Sequence, residues 1–534
     1  MKNKNAKDIF ASAGYAIILA FSLVFGFSFW HQVTNPLGNI KVYAVFILYI
    51  IILSFASYFL FQGFKRIKIT ENEKKIKWYF LLTAFFLMII GWLPYWLAGY
   101  PGFFCYDAGN TFIQHFYGIE YSTHHPLLYT IYVGDVFKLA VKLSKDNYNL
   151  GIIILSWVQI LVGASVFTYM CAYVYKLGGY LFFWISVAYL SFFPTIGLFS
   201  SCSTKDIFNS FVILLLFLQL LEAYNQSEDK GIKLYTLIIN IFLVALLLLF
   251  RKNNLVAFVI FLPVLFLLFK KERVKLGIIL MCGFLLFFAG SKGLEMRYHP
   301  MKGSLAEVIC VPMQQLARVY VQEGDSMFIE DELDYFNSIH PYSLDNYHEL
   351  NADFSKAVMD DNILRKTFPR FLKMWARIGL KHPKVYIEAF LANTYQAWYP
   401  FCDITGYYDN ISEGSTYYFK CDVELPGQLE SKLPAFYDIL WNMSHVISLY
   451  KIPVVGILFS IAFYYYMLLL VFFYGGICKG NKKALLYSTF IYMFVLSTFF
   501  GPIVLPRYYI YLYHTFPLML GFLAEANKNS TEKK

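Results

Sequence analysis

Charge is what this chain has least of. Lys, Arg, Asp and Glu make up 15% of its 534 residues, whereas 58% are hydrophobic, 20% are aromatic, and mean hydropathy is +0.51. Most of the charged surface of a soluble protein is missing, which excludes a string of soluble domains as well as a disordered or fibrous chain. The eight cysteines are scattered, with no Cys-x-x-Cys spacing for a metal or a redox motif. Cys402 and Cys421 are a candidate disulfide pair. No glycine-rich phosphate loop, internal repeat or low-complexity tract is present. The net charge of +10 would suggest nucleic acid in a soluble chain. In a polytopic membrane protein its distribution carries the information instead, and no nucleic-acid partner is expected.

What the chain does have is apolar runs long enough to cross about 30 Å of hydrocarbon. They fall at 9–30, 40–62, 79–98, 150–175, 180–200, 207–224, 233–250, 255–269, 276–291, 451–474, 484–500 and 508–524, twelve in all. The first follows Lys2, Lys4 and Lys7 but ends in Phe27-Ser28-Phe29-Trp30 without a small-residue cleavage site, so it reads as a retained anchor. Residues 126–144 are apolar yet carry Asp135, Lys138 and Lys142. If they crossed, the basic clusters at Lys270–Lys275 and Lys479–Lys483 would both fall outside, against the positive-inside rule. Laid along the outer interface as an amphipathic helix, they leave those clusters, the Lys65–Lys77 loop, Lys176 and the Lys528–Lys534 tail inside, with both termini cytoplasmic. Residues 292–450 hold 14 Lys and Arg against 21 Asp and Glu, while the rest hold 31 against 14. That acidic stretch then lies outside.

The expected architecture is all-α, with about twelve transmembrane helices in a multi-pass cell-membrane protein. Two N-terminal helices occupy 1–62, and a transmembrane module occupies 63–291 with an outer loop at 99–149. A largely helical extracytoplasmic domain covers 292–450, its periodicity clearest in Leu305–Val321 and Arg370–Tyr395, and 451–534 holds the last helices and a cytoplasmic tail.

On this topology the polar strings that interrupt apolar runs collect on the outer side. Arg251-Lys252 and Arg507 break the positive-inside rule; they are either partners of a lipid or sugar phosphate or anchors to headgroups. Asn253 and Asn254 would donate to the same oxygens. Asp107 is the only carboxylate between Glu73 and Glu120 and is either a helix N-cap or a base. His124-His125-Pro126 is a helix entry or a phosphate-binding element. Lys205-Asp206 at a span end is a self-neutralising pair or part of a site. Gln314, Gln315 and Arg318 stand at helical spacing.

The order of these elements resembles the C-type (GT-C) superfamily of integral-membrane glycosyltransferases, which includes protein O-mannosyltransferases and the lipid A aminoarabinose transferase. It is similar most closely to an uncharacterised bacterial multi-pass family of that class, through Pro101-Gly102…Asp107…Gln114…His125-Pro126, Thr204-Lys205-Asp206, Arg251-Lys252-Asn253-Asn254, Gln314-Gln315…Arg318 and Pro506-Arg507-Tyr508. The resemblance implies transfer of a sugar from a polyprenyl-phosphate carrier to a cell-envelope glycan or protein acceptor. Asp107, with Asp206 second, would be catalytic. His124, His125, Lys205, Arg251, Lys252 and Arg507 would hold the donor phosphate, and Asn253, Asn254, Gln314, Gln315, Arg318 and Tyr508 the substrate. Two departures stand out: two extra spans precede the key acid, and Asp107 stands alone where some members have an acidic pair. No metal ligand set is assigned, and a divalent-cation requirement stays open. A transporter or flippase for a lipid-linked or anionic solute is the alternative, although the charges collect at span ends rather than near the midplane.

Overall fold

The computed structural model describes residues 2–528 except 68, 70–74, 146, 252, 330, 341–346, 354–355, 357–358 and 406–415. Among the described residues the chain is helical, with only isolated β-bridges. Helices underlie all twelve apolar runs. They are α1 (Lys2–Trp30), α2 (Ile40–Arg66), α3 (Trp78–Ala98), the two halves of the long helix over Tyr148–Phe192, and the helices over Lys205–Glu228, Leu234–Phe250, Asn253–Leu268, Arg273–Tyr298, Ile461–Leu470, Lys482–Thr498 and Ile510–Glu525. Seven helices among the described residues are long and apolar enough to cross a membrane, and Leu234–Phe250 and Asn253–Leu268 are shorter apolar ones.

Two spans differ from the sequence reading where the backbone breaks. The Tyr148–Phe192 helix turns at Gly179, whose φ of 82° favours glycine, and ends at Phe192 rather than 200. Pro194, lacking an N–H and fixing its φ, starts a separate short helix, Pro194–Ser200. The 451–474 run begins as 3₁₀ turns around Pro453; regular helix starts at Ile461 and widens to π-turns over Val471–Cys478.

Between α3 and the long helix lie two short ones, α4 (Ala108–Phe116) and α5 (Leu127–Leu143). One face of α5 packs beside α4 and the start of the long helix: Tyr129, Val133 and Phe137 cluster with Phe104, Phe112 and Ile152. The segment whose crossing the charge pattern argues against therefore lies beside α4. The opposite end of the bundle gathers the basic loops. Lys65 pairs with Asp8, Lys483 Nζ lies 3.7 Å from Glu525, and Lys528 Nζ donates to the Lys176 carbonyl at 2.8 Å.

The 292–450 stretch divides in two. One part has its own core of Ile309, Met313, Leu316, Phe336, Leu364, Phe371, Met374 and Ile378. The Arg370–Tyr395 periodicity belongs to two helices, Asp361–Lys381 and Pro383–Trp398, broken at His382-Pro383. The second of these joins the main bundle core through Ala392, Tyr395 and Trp398, with Phe21 of α1 against Trp398 at 5.7 Å. Cys402 and Cys421 are both free thiols. Each donates elsewhere, to the Tyr399 carbonyl at 3.3 Å and to Ser444 Oγ at 3.5 Å, so the candidate disulfide is not formed.

Candidate functional site

Three extended segments meet at the end of the bundle that carries the 301–386 unit. Residues 103–104 run between 202–203 and 422–424. Ser203 N–H donates to Phe103 O at 2.8 Å, Phe104 N–H to Asp422 O at 3.2 Å, and Glu424 N–H to Phe104 O at 2.6 Å. The path into this position needs Gly102, whose φ is +135° and whose missing Cβ would lie 2.8 Å from Ser156 Cβ. Tyr106 then takes φ 66°, left-handed for a bulky residue, and turns the chain so that Asp107 precedes α4. On the adjoining segment Thr204 caps the Lys205–Glu228 helix, its hydroxyl accepting from Asp206 N–H. That cap fixes Lys205 and Asp206 in the first turn, where a carboxylate is favoured by the helix dipole.

Asp107 occupies the N-cap position of α4 yet makes no capping hydrogen bond. Glu424 does that work from 315 residues away, its Oε2 accepting from Gly109 N–H at 3.1 Å. Lys420 holds the other oxygen, Oε1, at 2.6 Å. The Asp107 carboxylate faces two cations instead: Lys205 Nζ at 3.4 Å and Arg507 Nη1 at 3.3 Å, both from Oδ2. Arg507 also approaches Asp206 at 3.9 Å, and Arg251 Nη1 lies 3.0 Å from the other Asp206 oxygen. Two tyrosines shape the cluster. Arg507 lies over the rings of Tyr106 (4.3 Å) and Tyr508 (4.7 Å), Arg251 lies over Tyr508 (4.8 Å), and Arg507 Nη2 donates to Tyr508 Oη at 2.9 Å.

His125 Nδ1 is 2.9 Å from Lys205 Nζ. Because an ammonium only donates, Nδ1 accepts, and the imidazole is the neutral tautomer with its proton on Nε2. Burial, reinforced by Lys205, lowers the His125 pKa to about 3. For Asp107 burial alone would raise the pKa, but Lys205 and Arg507 outweigh it and hold the carboxyl well below its usual range. His124 sits at the rim with Nδ1 3.7 Å from Glu307, which in turn pairs with Lys356 at 2.8 Å. Burial lowers the His124 pKa, with Glu307 opposing.

Two carboxylates and three basic side chains thus converge from four distant stretches of chain, leaving one positive charge in surplus when all are ionised. The Arg507 Nε is buried and has no hydrogen-bond partner among the described residues. The cluster suits a divalent cation poorly, because each carboxylate already has cationic neighbours. Among the described residues no group of three or more His, Cys, Asp or Glu is placed to hold a metal ion.

Asp107, His125, Lys205, Asp206, Arg251, Arg507 and Tyr508 are therefore brought together, with His124 at the rim. Lys252 lies outside the described residues. Asn253 opens its helix on the exposed surface. Asn254 is buried and engaged structurally, donating to Asn209 Oδ1 at 2.6 Å and the Leu247 carbonyl at 2.7 Å, which ties the start of its helix to two neighbouring helices. Gln314, Gln315 and Arg318 are not joined to the cluster. They bind His348 O, Tyr386 O and the Glu349 and Glu388 carboxylates, holding together the unit that contains them. The sequence reading missed Tyr106, Glu307, Lys420 and Glu424. Tyr106, next to Asp107, was the one with a local signal.

A helical protein with many membrane-length helices and a buried mixed-charge cluster at one end is the class these features define. Residues 120–534 match the model of a family of unknown function (DUF6020), and the chain belongs to that family. No curated protein and no solved structure matches it. Asp107 precedes the matched residues, whereas His124, His125, Lys205, Asp206, Arg251 and Arg507 lie within them.

Proposed function

We propose that the protein is a lipid-dependent membrane glycosyltransferase of the C-type kind, moving a sugar from a polyprenyl-phosphate carrier to a cell-envelope glycan or protein acceptor. The observation that carries this reading is Asp107 itself: a carboxylate at a helix start that caps nothing and is set against Lys205 and Arg507 in a cluster with surplus positive charge. In the accompanying topology the twelve helices cross the membrane, both termini are cytoplasmic, and the cluster faces outward with α4 and α5 along the outer interface.

The chemistry divides between the two signs of charge. As the bond from the anomeric carbon to the carrier phosphate breaks, the ring becomes oxocarbenium-like and negative charge develops on the phosphate. Arg507, Lys205 and Arg251 stabilise that charge, and the Nε2–H of neutral His125 adds a hydrogen bond. In its resting ion pairs Asp107 is a weak base. The carrier phosphate competes for Lys205 and Arg507 and releases the carboxylate, which then takes the proton of the acceptor hydroxyl on the opposite face of the sugar. Asp206, buried between Arg251 and Arg507, positions those two guanidiniums rather than reacting.

Lipid analysis of a deletion strain tests the reading. A polyprenyl-phosphate sugar should accumulate while one envelope glycan loses that sugar. An unchanged lipid pool with unchanged glycans contradicts it, and movement of a lipid-linked solute without glycosidic bond formation by the purified protein would assign a transporter instead.

A further inference from the structure

We propose that Cys105 and Cys202 are a cross-linking site, joined by a disulfide that staples the Asp107 segment to the start of the Lys205–Glu228 helix. Both are free thiols in the structure, but unlike Cys402 and Cys421 they face each other, with their sulfurs 3.5 Å apart and both side chains fully buried. Cys105 stands two residues before Asp107, and Cys202 three before Lys205. The two segments are already held in register by the bridge between Phe103 and Cys202 and by the bond from Ser203 N–H to Phe103 O. A disulfide bond is about 2.0 Å long, so modest side-chain rotations close the gap. The third thiol of the neighbourhood, Cys421, is directed to Ser444 Oγ. The bond would close a long loop, the two cysteines being 97 positions apart in the chain, and would keep Asp107 within reach of Lys205.

The inference rests on the proposed outward orientation of this end, where an oxidant is present. The oxidant is an external disulfide. One cysteine thiolate attacks it, forming a mixed disulfide and releasing one oxidant sulfur as a thiol; the second cysteine thiolate attacks the first cysteine's sulfur and releases the other. Two electrons and two protons pass from the pair to the oxidant, which ends as two thiols. Because the folded protein buries both sulfurs, exchange takes place while the chain folds, before 103–106 seats against 202–204.

The test uses the full wild-type chain. Cells are denatured directly in excess N-ethylmaleimide, and the purified protein is digested without reductant and analysed by mass. A linked peptide pair containing Cys105 and Cys202, two hydrogens lighter than the separate peptides, is expected; both become alkylatable after reduction. In Cys105→Ser the Cys202 thiol should label without reductant. Alkylation of both cysteines in the unreduced wild type, or a link from Cys202 to Cys421, overturns the proposal. Since the readout is a peptide mass and not sugar transfer, a reduced pair removes the staple and leaves the transferase reading standing.

Discussion

Arg251 and Arg507 both belong to the charged cluster, yet the structure predicts that removing them differs in how much stability is lost. Arg251 is partly exposed at a helix turn, with its guanidinium on Asp206. In Arg251→Ala the buried Asp206 loses its nearer partner, at 3.0 Å, and keeps Arg507 at 3.9 Å, so some stability is lost along with donor use. A charge-assisted hydrogen bond contributes about 1.5–3 kcal/mol, which lowers kcat/KM for a polyprenyl-phosphate sugar roughly 10- to 150-fold. Arg507 is buried between two carboxylates and two tyrosine rings. Its truncation leaves Asp206 and Asp107 each short of a partner, and breaking a buried pair from one side costs about 3–5 kcal/mol of stability. Arg507→Ala should therefore lose both folding yield and activity, whereas Arg507→Lys, which keeps the charge but not the planar fork, should fold better and still use the donor poorly. Purified variants in lipid nanodiscs, assayed by donor titration and by thermal melting, separate the two effects. Normal donor use by Arg251→Ala together with a wild-type melting curve for Arg507→Ala would refute the assignment of these cations.

His125 stays neutral in the folded protein down to a pKa of about 3, whereas the unfolded chain binds a proton near pH 6.5. Between those values the unfolded state holds more protons, so stability should rise with pH and fall on acidification, by about 2 kcal/mol at pH 5. Melting curves of wild type and His125→Gln at pH 5 and 7 check this; an equal slope in both proteins counts against it. For Asp107 the sign is the same and the window lower: its depressed pKa keeps the ion-pair contribution intact above the normal carboxylate range, and that contribution is lost as pH falls below it. Glu424→Ala removes the cap of α4 and should cost about 1 kcal/mol of stability while lowering transfer severalfold, since Asp107 starts that helix. An unchanged melting point would show that Gly109 N–H has another acceptor. Cysteine labelling in intact cells should place Ser338 outside and Lys271 and Lys482 inside; Ser338 and Lys271 on the same side would contradict the topology.

The sequence made the helices legible because each apolar run is long, and α5 stood out as a helix of its own because its apolar face is interrupted by three charges. The cluster was legible in part because Arg251 and Arg507 interrupt apolar runs, and a lone carboxylate such as Asp107 stands out among apolar neighbours. What stayed hidden depends on contacts between distant stretches. Glu424 sits in an acidic region where nothing local sets it apart, and only the pairing of 422–424 with Phe104 brings it to α4. Gln314, Gln315 and Arg318 stand at helical spacing, which does not reveal that Glu388 and the Tyr386 carbonyl lie against them. The partners of Asn254 were hidden for a related reason. An asparagine beside two cations looks like a ligand donor, but burial at a helix junction engages its amide with Asn209 and Leu247.

The most direct test of the account is the rate of sugar transfer by Asp107→Asn. The substitution keeps size and, because Glu424 caps α4, the helix start, but it removes basicity together with the charge paired to Lys205 and Arg507; some stability is lost, so transfer is measured on protein whose folding is checked by its melting curve. If Asp107 is the base, transfer from a polyprenyl-phosphate sugar falls roughly 10²- to 10⁴-fold with donor affinity preserved or increased, since Lys205 and Arg507 remain and no longer have a competing carboxylate. Full transfer activity in Asp107→Asn would contradict the account.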